Sequence, residues 1–192
     1  GDLNYTVLSE ADGTAIVGKQ DASLSGDVII GATAVDPSTD VKYTVVAVGD
    51  EAFSGCAGLT SLVIPAGVSS IGQKALANCT GLKWVVVKDG VSDIAVGADA
   101  FSGMPASTIL YVPAGKRSEF ANNSVWKIFK SIIQDDNITF ADSNVKSVCV
   151  NNWDTNEDGE LSQVEALMVT SLGQKFWGNT YIISFKELQY FR

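Results

Sequence analysis

Histidine is absent from the 192 residues of this sequence. Without imidazole the chain cannot form a Ser-His-Asp or Cys-His nucleophile system, and it offers no histidine ligand to a metal ion. These absences exclude the most familiar hydrolase mechanisms. An enzyme could still act through carboxylates alone, as glycoside hydrolases do, but no isolated pair of acids stands apart from the turns and ligand motifs. We therefore expect no enzymatic activity.

Positive charge is also scarce, with 13 Lys and Arg against 22 Asp and Glu, a formal net charge of -9 and a pI near 4.4. A chain this acidic is repelled by nucleic-acid phosphates and by anionic lipid. No run approaches the roughly 18 apolar residues that a membrane helix needs. We expect neither nucleic-acid binding nor membrane insertion. The first residues include no initiator methionine and no signal peptide, which favours a mature or trimmed chain.

What the sequence does contain is a repeat with a period of 23 residues. Residues 48–70 align with residues 71–93 at nine identical positions, and a third copy opens at residue 96 after an insertion of two residues. One copy has too few apolar residues to close a core alone, so the copies must stack and share one. In the first copy these residues are Cys56, Leu59, Leu62, Ile64 and Val68.

The Leu62-x-Ile64 spacing is typical of a short strand with one face turned inward. Stacked copies therefore predict an α+β protein whose first part is a short, β-rich, right-handed solenoid with a small parallel sheet on one side.

The segments on either side of the repeats are expected to cap this stack. Residues 1–47 are predicted to form a β cap, with one hairpin turning at Asp12-Gly13 and a second turning at residues 36–40. Residues 48–133 hold the repeats and a C-terminal cap, in which residues 117–132 have mixed helical spacing and cover the last coil. Residues 134–137 are the best candidate for a linker to a separate module, residues 134–192.

The repeat pattern Ile/Val-Gly-x-x-Ala-Phe-x-x-Cys-x-x-Leu-x-x-Leu-x-Ile-Pro-x-x-Val resembles the BspA-type leucine-rich repeats of bacterial cell-surface proteins. Residues 110–115, followed by Trp126, resemble the usual end of such arrays, and the resemblance covers roughly residues 3–133. Leu76 in place of Phe and Lys88 in place of Pro depart from the pattern. The resemblance implies a secreted or surface-anchored bacterial adhesion protein, without catalysis, that binds macromolecules such as host or extracellular-matrix proteins.

The three cysteines cannot all pair within one chain. Cys56 and Cys79 share one repeat position, where Met104 stands in the third copy, and a small apolar side chain packs inward at such a position. Buried free thiols are therefore expected, although the spacing also permits a disulfide between neighbouring coils. A catalytic thiolate is not expected, because the sequence has no histidine and no nearby basic residue to activate one.

Residues 154–165 match the calcium-loop pattern D-x-[DN]-x-[DN]-G-x5-E at every position. A hard cation takes six to eight oxygen ligands, and a twelve-residue loop with a glycine at its sharp turn can wrap them around it. The cofactor predicted from this pattern is Ca²⁺. Its predicted ligands are Asp154, Asn156, Asp158, Glu160 through its carbonyl, Ser162 and a bidentate Glu165.

Helices are expected on both sides of this loop, which gives a small helical EF-hand-like calcium module. Asp142 or Ser143 can cap the first helix, and the second has one apolar stripe that ends at Gly173. Ser162-x-x-Glu165 is also a capping box, which could start the second helix without metal; both interpretations can hold at once.

Residues 181–188 are predicted to form a short strand and a capped helix, as the second half of a degenerate pair that has lost its ligands. Without a partner site, we expect calcium affinity in the weak extracellular class, about 10⁻⁴ to 10⁻³ M. Residues 145–191 resemble a module found beside BspA-type repeats, which implies that the chain is one portion of a longer repeating protein.

Trp84 occupies a strand position that is Ser61 in the preceding copy, so it is expected to point outward as a candidate ligand-binding platform for a glycan. Trp126, Trp153 and Trp177 lie in apolar contexts and are predicted to belong to the core. Three functions stay open: a protein-interaction face joined to a calcium-stabilised module, a carbohydrate-binding module around Trp84, and a structural spacer.

Overall fold

A computed structural model describes residues 3–88, 94–155 and 159–191. The chain divides into two compact units, unit 1 (Gly1–Gln134) and unit 2 (Asp135–Arg192). The strands are β1 (Tyr5–Ser9), β2 (Thr14–Val17), β3 (Ser25–Ile29), β4 (Thr33–Val35), β5 (Lys42–Val48), β6 (Gly58–Ile64), β7 (Ser70–Ile71), β8 (Trp84–Val87), β9 (Ala95–Val96), β10 (Ile109–Pro113) and β11 (Ser131–Asp135). The helices are α1 (Arg117–Asn122), α2 (Ser143–Trp153) and α3 (Gln163–Leu167), with 3-10 helices at Trp126–Ile128 and Lys186–Tyr190.

Unit 1 contains two sheets, whereas the sequence predicted one. In the first sheet the order is β1-β2-β5-β7-β9, with β4 paired to β5, and in the second it is β11-β10-β8-β6-β3. Strands β3, β6, β8 and β10 run parallel, as predicted. The additional sheet was missed because β7 and β9 have only two residues each, too few to show an alternating pattern.

The strand register follows the 23-residue period. Ser61 pairs with Trp84, and Trp84 pairs with Ile109 after the two-residue insertion. The β cap continues this register, because Val28 in β3 pairs with Leu62 in β6. Both predicted hairpins of the cap form, β1 with β2 and β4 with β5. The end of the second repeat copy, residues 89–93, lies outside the described residues.

A ladder of turns closes the third side of each coil. The N–H groups of Glu51, Phe53 and Gly55 donate to carbonyls of the next coil at 2.9, 2.7 and 2.8 Å. The N–H groups of Lys74 and Leu76 repeat this pattern one coil later, at 3.0 and 2.7 Å. Successive coils are thus joined by backbone hydrogen bonds on all three sides, which leaves few polar groups unpaired around the apolar interior.

The glycine that follows the first strand of each coil is required by close approach of the backbone. A Cβ atom on Gly72 would lie 2.5 Å from the backbone nitrogen of Asp50, and one on Gly97 would lie 2.4 Å from that of Gln73. Real Cβ atoms essentially never come this close to another heavy atom. The Ile/Val-Gly start of the repeat pattern therefore sets the spacing between coils.

The core of unit 1 is the stack of inward-facing repeat residues. Cys56, Leu59, Leu62, Ile64 and Val68 are all buried, as predicted. Its last coil is closed by Phe101, Phe120, Trp126 and Phe129, whose rings lie 5.2 to 6.2 Å apart. The helical interpretation of residues 117–132 is wrong beyond Asn122, since the chain continues as the 3-10 helix Trp126–Ile128 and then as β11.

Unit 2 has a separate small core of Ile138, Val145, Cys149, Leu161 and Ala166. The division between the two units falls within residues 134–137, the segment predicted as a linker. This segment is ordered, with the end of β11 at Asp135 and an antiparallel bridge between Asn137 and Ser162. The second helix is shorter than predicted: α3 ends at Leu167, well before Gly173. Trp177 was predicted to be a core residue, but it is 85% exposed. The rings of Phe176 and Phe191 pack against Trp153 in its place.

None of the described helices is long and apolar enough to cross a membrane.

Replacing Gly72 by Ala is expected to lower the free energy of unfolding of unit 1 by about 3 kcal/mol, because the new methyl group collides with the backbone of the preceding coil. Gly13→Ala is the matched control. Gly13 has a φ of +63° but open space around it, so only backbone strain of about 1–2 kcal/mol is expected. Urea denaturation followed by circular dichroism measures both. Equal losses in the two variants would contradict the close-approach explanation.

Candidate functional site

The predicted calcium loop lies between α2 and α3 in unit 2. Helix α2 ends at Trp153, and Asp154 follows as its C-terminal cap residue. The N–H of Gly159 donates to Oδ2 of Asp154 at 2.9 Å, and Gly159 has the positive φ of +80° that the sharp turn requires. Asn156 and Asp158, two of the predicted ligands, lie outside the described residues.

Glu165 closes the loop and is almost fully buried, with 3% of its surface exposed. Its Oε1 accepts hydrogen bonds from the N–H of Thr155 at 3.0 Å and from the hydroxyl of Thr155 at 2.8 Å. Its Oε2 accepts from the N–H of Ser162 at 2.9 Å, and the hydroxyl of Ser162 accepts from the N–H of Glu165 at 3.2 Å. The predicted capping box is therefore formed, and the same carboxylate also holds the two ends of the loop together.

The middle of the loop is anchored to the core of unit 2. Leu161 is fully buried, and its carbonyl accepts from the N–H of Ile138 at 2.8 Å. The side chain of Glu160 forms an ion pair with Lys146 on α2, so only its carbonyl is left for the ligand role that the pattern assigns to it. These contacts fix the loop at one apolar and one charged point.

The described candidate ligands are compatible with a cation but do not form a complete site. Asp154, Ser162 and Glu165 supply oxygen atoms of the kind that Ca²⁺ prefers. Within residues 3–88, 94–155 and 159–191, no group of three or more acidic or cysteine side chains is close enough to hold a metal ion. Calcium binding by this loop therefore stays a prediction.

Two further acids organise unit 2, and each makes a contact that the sequence did not predict. Asp142 is 3% exposed and caps α2, as predicted, by accepting from the N–H groups of Asn144 and Val145 at 2.8 and 3.3 Å. Its other oxygen accepts from the N–H groups of Ile183 and Ser184 at 2.6 and 3.3 Å. The hydrogen bond from Ile183, with those from the cap, holds the pKa of Asp142 below its ordinary value.

The second of these acids is Glu187, which is 4% exposed. Its Oε1 accepts from the N–H of Ala141 at 2.7 Å, while Oε2 is buried with no hydrogen-bond partner among the described residues. The sequence signal was Ser184-x-x-Glu187, which repeats the spacing of Ser162-x-x-Glu165. It predicted a capped helix, but the structure has a 3-10 helix without a side-chain cap, since Glu187 turns toward Ala141 instead.

The three cysteines are free and buried. The thiol of Cys79 donates to the carbonyl of Phe53 in the preceding coil at 3.1 Å, and burial raises its pKa to about 12. Burial, with the nearby charge of Glu187, raises the pKa of Cys149 to about 12. Thiols with such pKa values form almost no thiolate at neutral pH, so these side chains serve packing rather than nucleophilic chemistry.

Trp84, the candidate glycan platform, begins β8 opposite Ser61 in β6, as the repeat alignment predicted. It is only partly exposed, and its ring nitrogen is buried. The most exposed tryptophan of the described residues is Trp177, in unit 2.

Coils that stack at a fixed period around one apolar interior define unit 1 as a leucine-rich-repeat solenoid. The chain belongs to the family of BspA type leucine-rich repeat regions, whose match spans residues 46–156, more than half of the chain, as six copies. No curated protein matches the chain significantly.

Three solved structures are similar to part of this chain. A leucine-rich cell surface protein from Faecalibacterium prausnitzii A2-165 is 23% identical with a TM-score of 0.44, covering 70% of this chain and 42% of that one. A leucine-rich repeat protein from Bacteroides capillosus ATCC 29799 is 17% identical with a TM-score of 0.40, covering 69% and 93%. One from Bacteroides ovatus ATCC 8483 is 19% identical with a TM-score of 0.42, covering 70% and 41%. The chain thus spans about two fifths of the length of two of these proteins.

Proposed function

We propose that unit 1 is a non-enzymatic, protein-binding module of a bacterial cell-surface or secreted protein. The observation that carries the proposal is membership of the BspA type family together with a solenoid whose interior repeats while its surface varies. Leucine-rich repeats mediate protein interactions in general, because stacked coils present an extended, rigid surface. Adhesion to a host or extracellular-matrix protein is the specific role that we propose.

The turn ladder provides an example of a surface suited to recognition. Glu51, Lys74 and Asp99 occupy the same position in three successive coils, each with a φ between 53° and 55°. All three are exposed, yet their charges alternate from acidic to basic to acidic. The backbone hydrogen bonds fix where these side chains stand, while their chemistry is free to match a partner.

Protein binding and glycan binding can be separated by one pair of assays. We expect the full chain to bind at least one protein on a panel of immobilised extracellular-matrix and host-surface proteins, and to show no selective binding on a glycan array. Trp84→Ala should leave the protein binding intact. Trp177→Ala, which removes an exposed tryptophan in the other unit, is the control. Selective glycan binding that is lost only in Trp84→Ala would favour the carbohydrate-binding function, and no binding in either assay would favour a spacer.

A second proposal is that unit 2 binds Ca²⁺ in the loop of residues 154–165. The bound cation would make unit 2 more rigid. Two hydrogen bonds support this proposal. The N–H of Gly159 donates to Oδ2 of Asp154, and the N–H of Thr155 donates to Oε1 of Glu165 across the loop. A bidentate Glu165 would have to exchange its bonds from Thr155 and Ser162 for the cation. That exchange is a cost, which agrees with the weak affinity class of about 10⁻⁴ to 10⁻³ M.

Calcium at about 100 times its dissociation constant is expected to raise the free energy of unfolding of unit 2 by about 2.7 kcal/mol relative to chelator. Asp158→Asn should abolish this gain without touching the capping box of Ser162 and Glu165. Asp40→Asn, an exposed acid in unit 1, is the matched control and should keep the full gain. Thermal unfolding with calcium, magnesium or chelator measures the effect. An unchanged midpoint in calcium would rule out the site.

A further inference from the structure

The turn that begins the third coil of unit 1 is nearly identical to the turn that begins the first. Residues 48–55, which we call turn 1, and residues 96–103, which we call turn 3, agree at six of their eight positions. One of the two positions that differ is acidic in both turns, as Glu51 and Asp99, with φ values of 54° and 55°. A segment that fits on one of these turns is therefore expected to fit on the other.

Turn 1 is covered by residues 71–78 of the next coil, which we call turn 2. Three N–H groups of turn 1 donate to three carbonyls of turn 2, in the pairs Glu51 to Gln73, Phe53 to Ala75 and Gly55 to Ala77. In the other direction, the N–H of Gly72 donates to the carbonyl of Val48 at 2.7 Å. The structure thus shows which backbone groups of turn 1 hold the segment that lies on it.

Turn 3 presents the same backbone groups at the end of the stack. Its equivalent donors are the N–H groups of Asp99, Phe101 and Gly103, and none of them has an acceptor within the part of the chain that the structure describes. Strand β9, which leads into this turn, is the last strand of its sheet. The carbonyl of Val96, which corresponds to that of Val48, therefore lies at an open edge. Such an edge is a template for another backbone.

The C-terminal cap covers the interior of the third coil but leaves this edge accessible. The ring of Trp126 packs over that of Phe101, with centroids 5.8 Å apart. Beside turn 3 a cavity of about 300 Å³ remains, and its apolar lining includes Val96, Phe101, Val125 and Ile128. Ile128 is 47% exposed, so the cavity opens to solvent. A segment that runs along the edge can place an apolar side chain there.

The close approach of successive coils restricts which segments can bind. A Cβ atom on Gly72 would lie 2.5 Å from the backbone nitrogen of Asp50 in turn 1. One on Gly97 would lie 2.4 Å from the backbone nitrogen of Gln73 in turn 2. A segment that lies on turn 3 in the same way brings its own residue equally close to the backbone of Ala98. Only glycine fits at that position.

Charge adds a second restriction. The hydrogen bond from Lys19 holds the pKa of Glu51 below its ordinary value, and the charge of Lys74 on the next coil adds to this effect. Asp99 also follows Lys74 by one coil, but its other side faces the open edge. A lysine or arginine of a bound segment, at the position that Lys74 has in turn 2, would meet this acid.

We propose that the edge formed by β9 and turn 3 binds a segment of a partner protein with the pattern Ile/Val-Gly-x-Lys/Arg-Ala. The segment extends the sheet beside β9 as β7 extends it beside β5, and its carbonyls accept from the three N–H groups of turn 3. A second copy of this chain does not supply the segment, because its own turn 2 is bonded to turns 1 and 3. The inference rests on the protein-binding function proposed for unit 1 and names one segment that unit 1 accepts.

A peptide with the sequence of residues 69–78, Ser-Ser-Ile-Gly-Gln-Lys-Ala-Leu-Ala-Asn, is the probe, because this segment covers turn 1 in the structure. An NMR titration of the ¹⁵N-labelled full chain up to millimolar peptide measures its binding. We expect saturable shifts and slower hydrogen exchange at the amides of Asp99, Phe101 and Gly103, with those of turn 1 unchanged. Gly72→Ala in the peptide should weaken binding about tenfold, because the new methyl group collides with the backbone of turn 3.

A charge exchange locates the peptide on turn 3. Lys74→Glu in the peptide should weaken binding about threefold, as expected for an exposed ion pair, and Asp99→Lys in the chain should restore it. Lysine is compatible with this backbone, since Lys74 has a φ of 53° at the same repeat position. Asp40→Lys is the matched control, because Asp40 is an exposed acid with a φ of 57° in another turn, and it should restore nothing.

Three results would overturn the proposal: no response of the turn 3 amides to the peptide, equal binding of the Gly72→Ala peptide, or no restoration by Asp99→Lys in a chain whose circular dichroism shows that it is folded. Absence of peptide binding in a chain that still binds a protein on the matrix and host panel would contradict this inference alone. Peptide binding at turn 3 without any binding on that panel would support this inference and contradict the adhesion role.

Discussion

Backbone hydrogen bonds between successive coils are the constraint on which unit 1 depends. They join the coils through both sheets and through the turn ladder, where the N–H of Phe53 donates to Ala75 and that of Leu76 to Ala100. Such bonds form only if neighbouring coils match in length and approach closely. This requirement explains the near-constant period, the glycines at positions 49, 72 and 97, and the non-glycine residues that accept a positive φ at the first turn. The apolar interior then fills a space whose dimensions the backbone has already set.

Unit 2 is organised by buried carboxylates instead of a repeated backbone pattern. Asp142, Glu165 and Glu187 each accept N–H groups from a segment distant in sequence or from the far end of a loop. Charge-assisted hydrogen bonds of this type are stronger than neutral ones, so a few can fix short elements that bury little apolar surface. The same arrangement leaves apolar side chains of residues 177–185 exposed, since Asp142 fixes the backbone there and turns Ile183 outward.

The repeat was predictable because its signal is periodic. Cys56, Leu59 and Leu62 recur in register, and the structure places them in the core as expected. The short strands β7 and β9 were not predictable, because their pairing is decided by the coil above and below and not by two residues of local pattern.

Unit 2 was harder to predict for a related reason. Trp177 has an apolar sequence context, but Phe176 and Phe191 take the places against Trp153, and only three-dimensional packing decides which ring is buried. For the calcium loop, the sequence pattern named ligands, while the structure describes Asp154, Ser162 and Glu165 in hydrogen bonds that the pattern alone did not specify.

Native-state amide hydrogen exchange of unit 1 is the most direct test that the coils form one hydrogen-bonded stack. The amides of Phe53 and Leu76 lie in turns, where exchange is ordinarily fast, but they donate to the next coil. They should therefore be as strongly protected as the amides of β6 and β8, and should exchange with them in one cooperative opening. Fast exchange of Phe53 and Leu76 while both strands stay protected would show that the turn ladder does not hold the coils together, and would contradict this account.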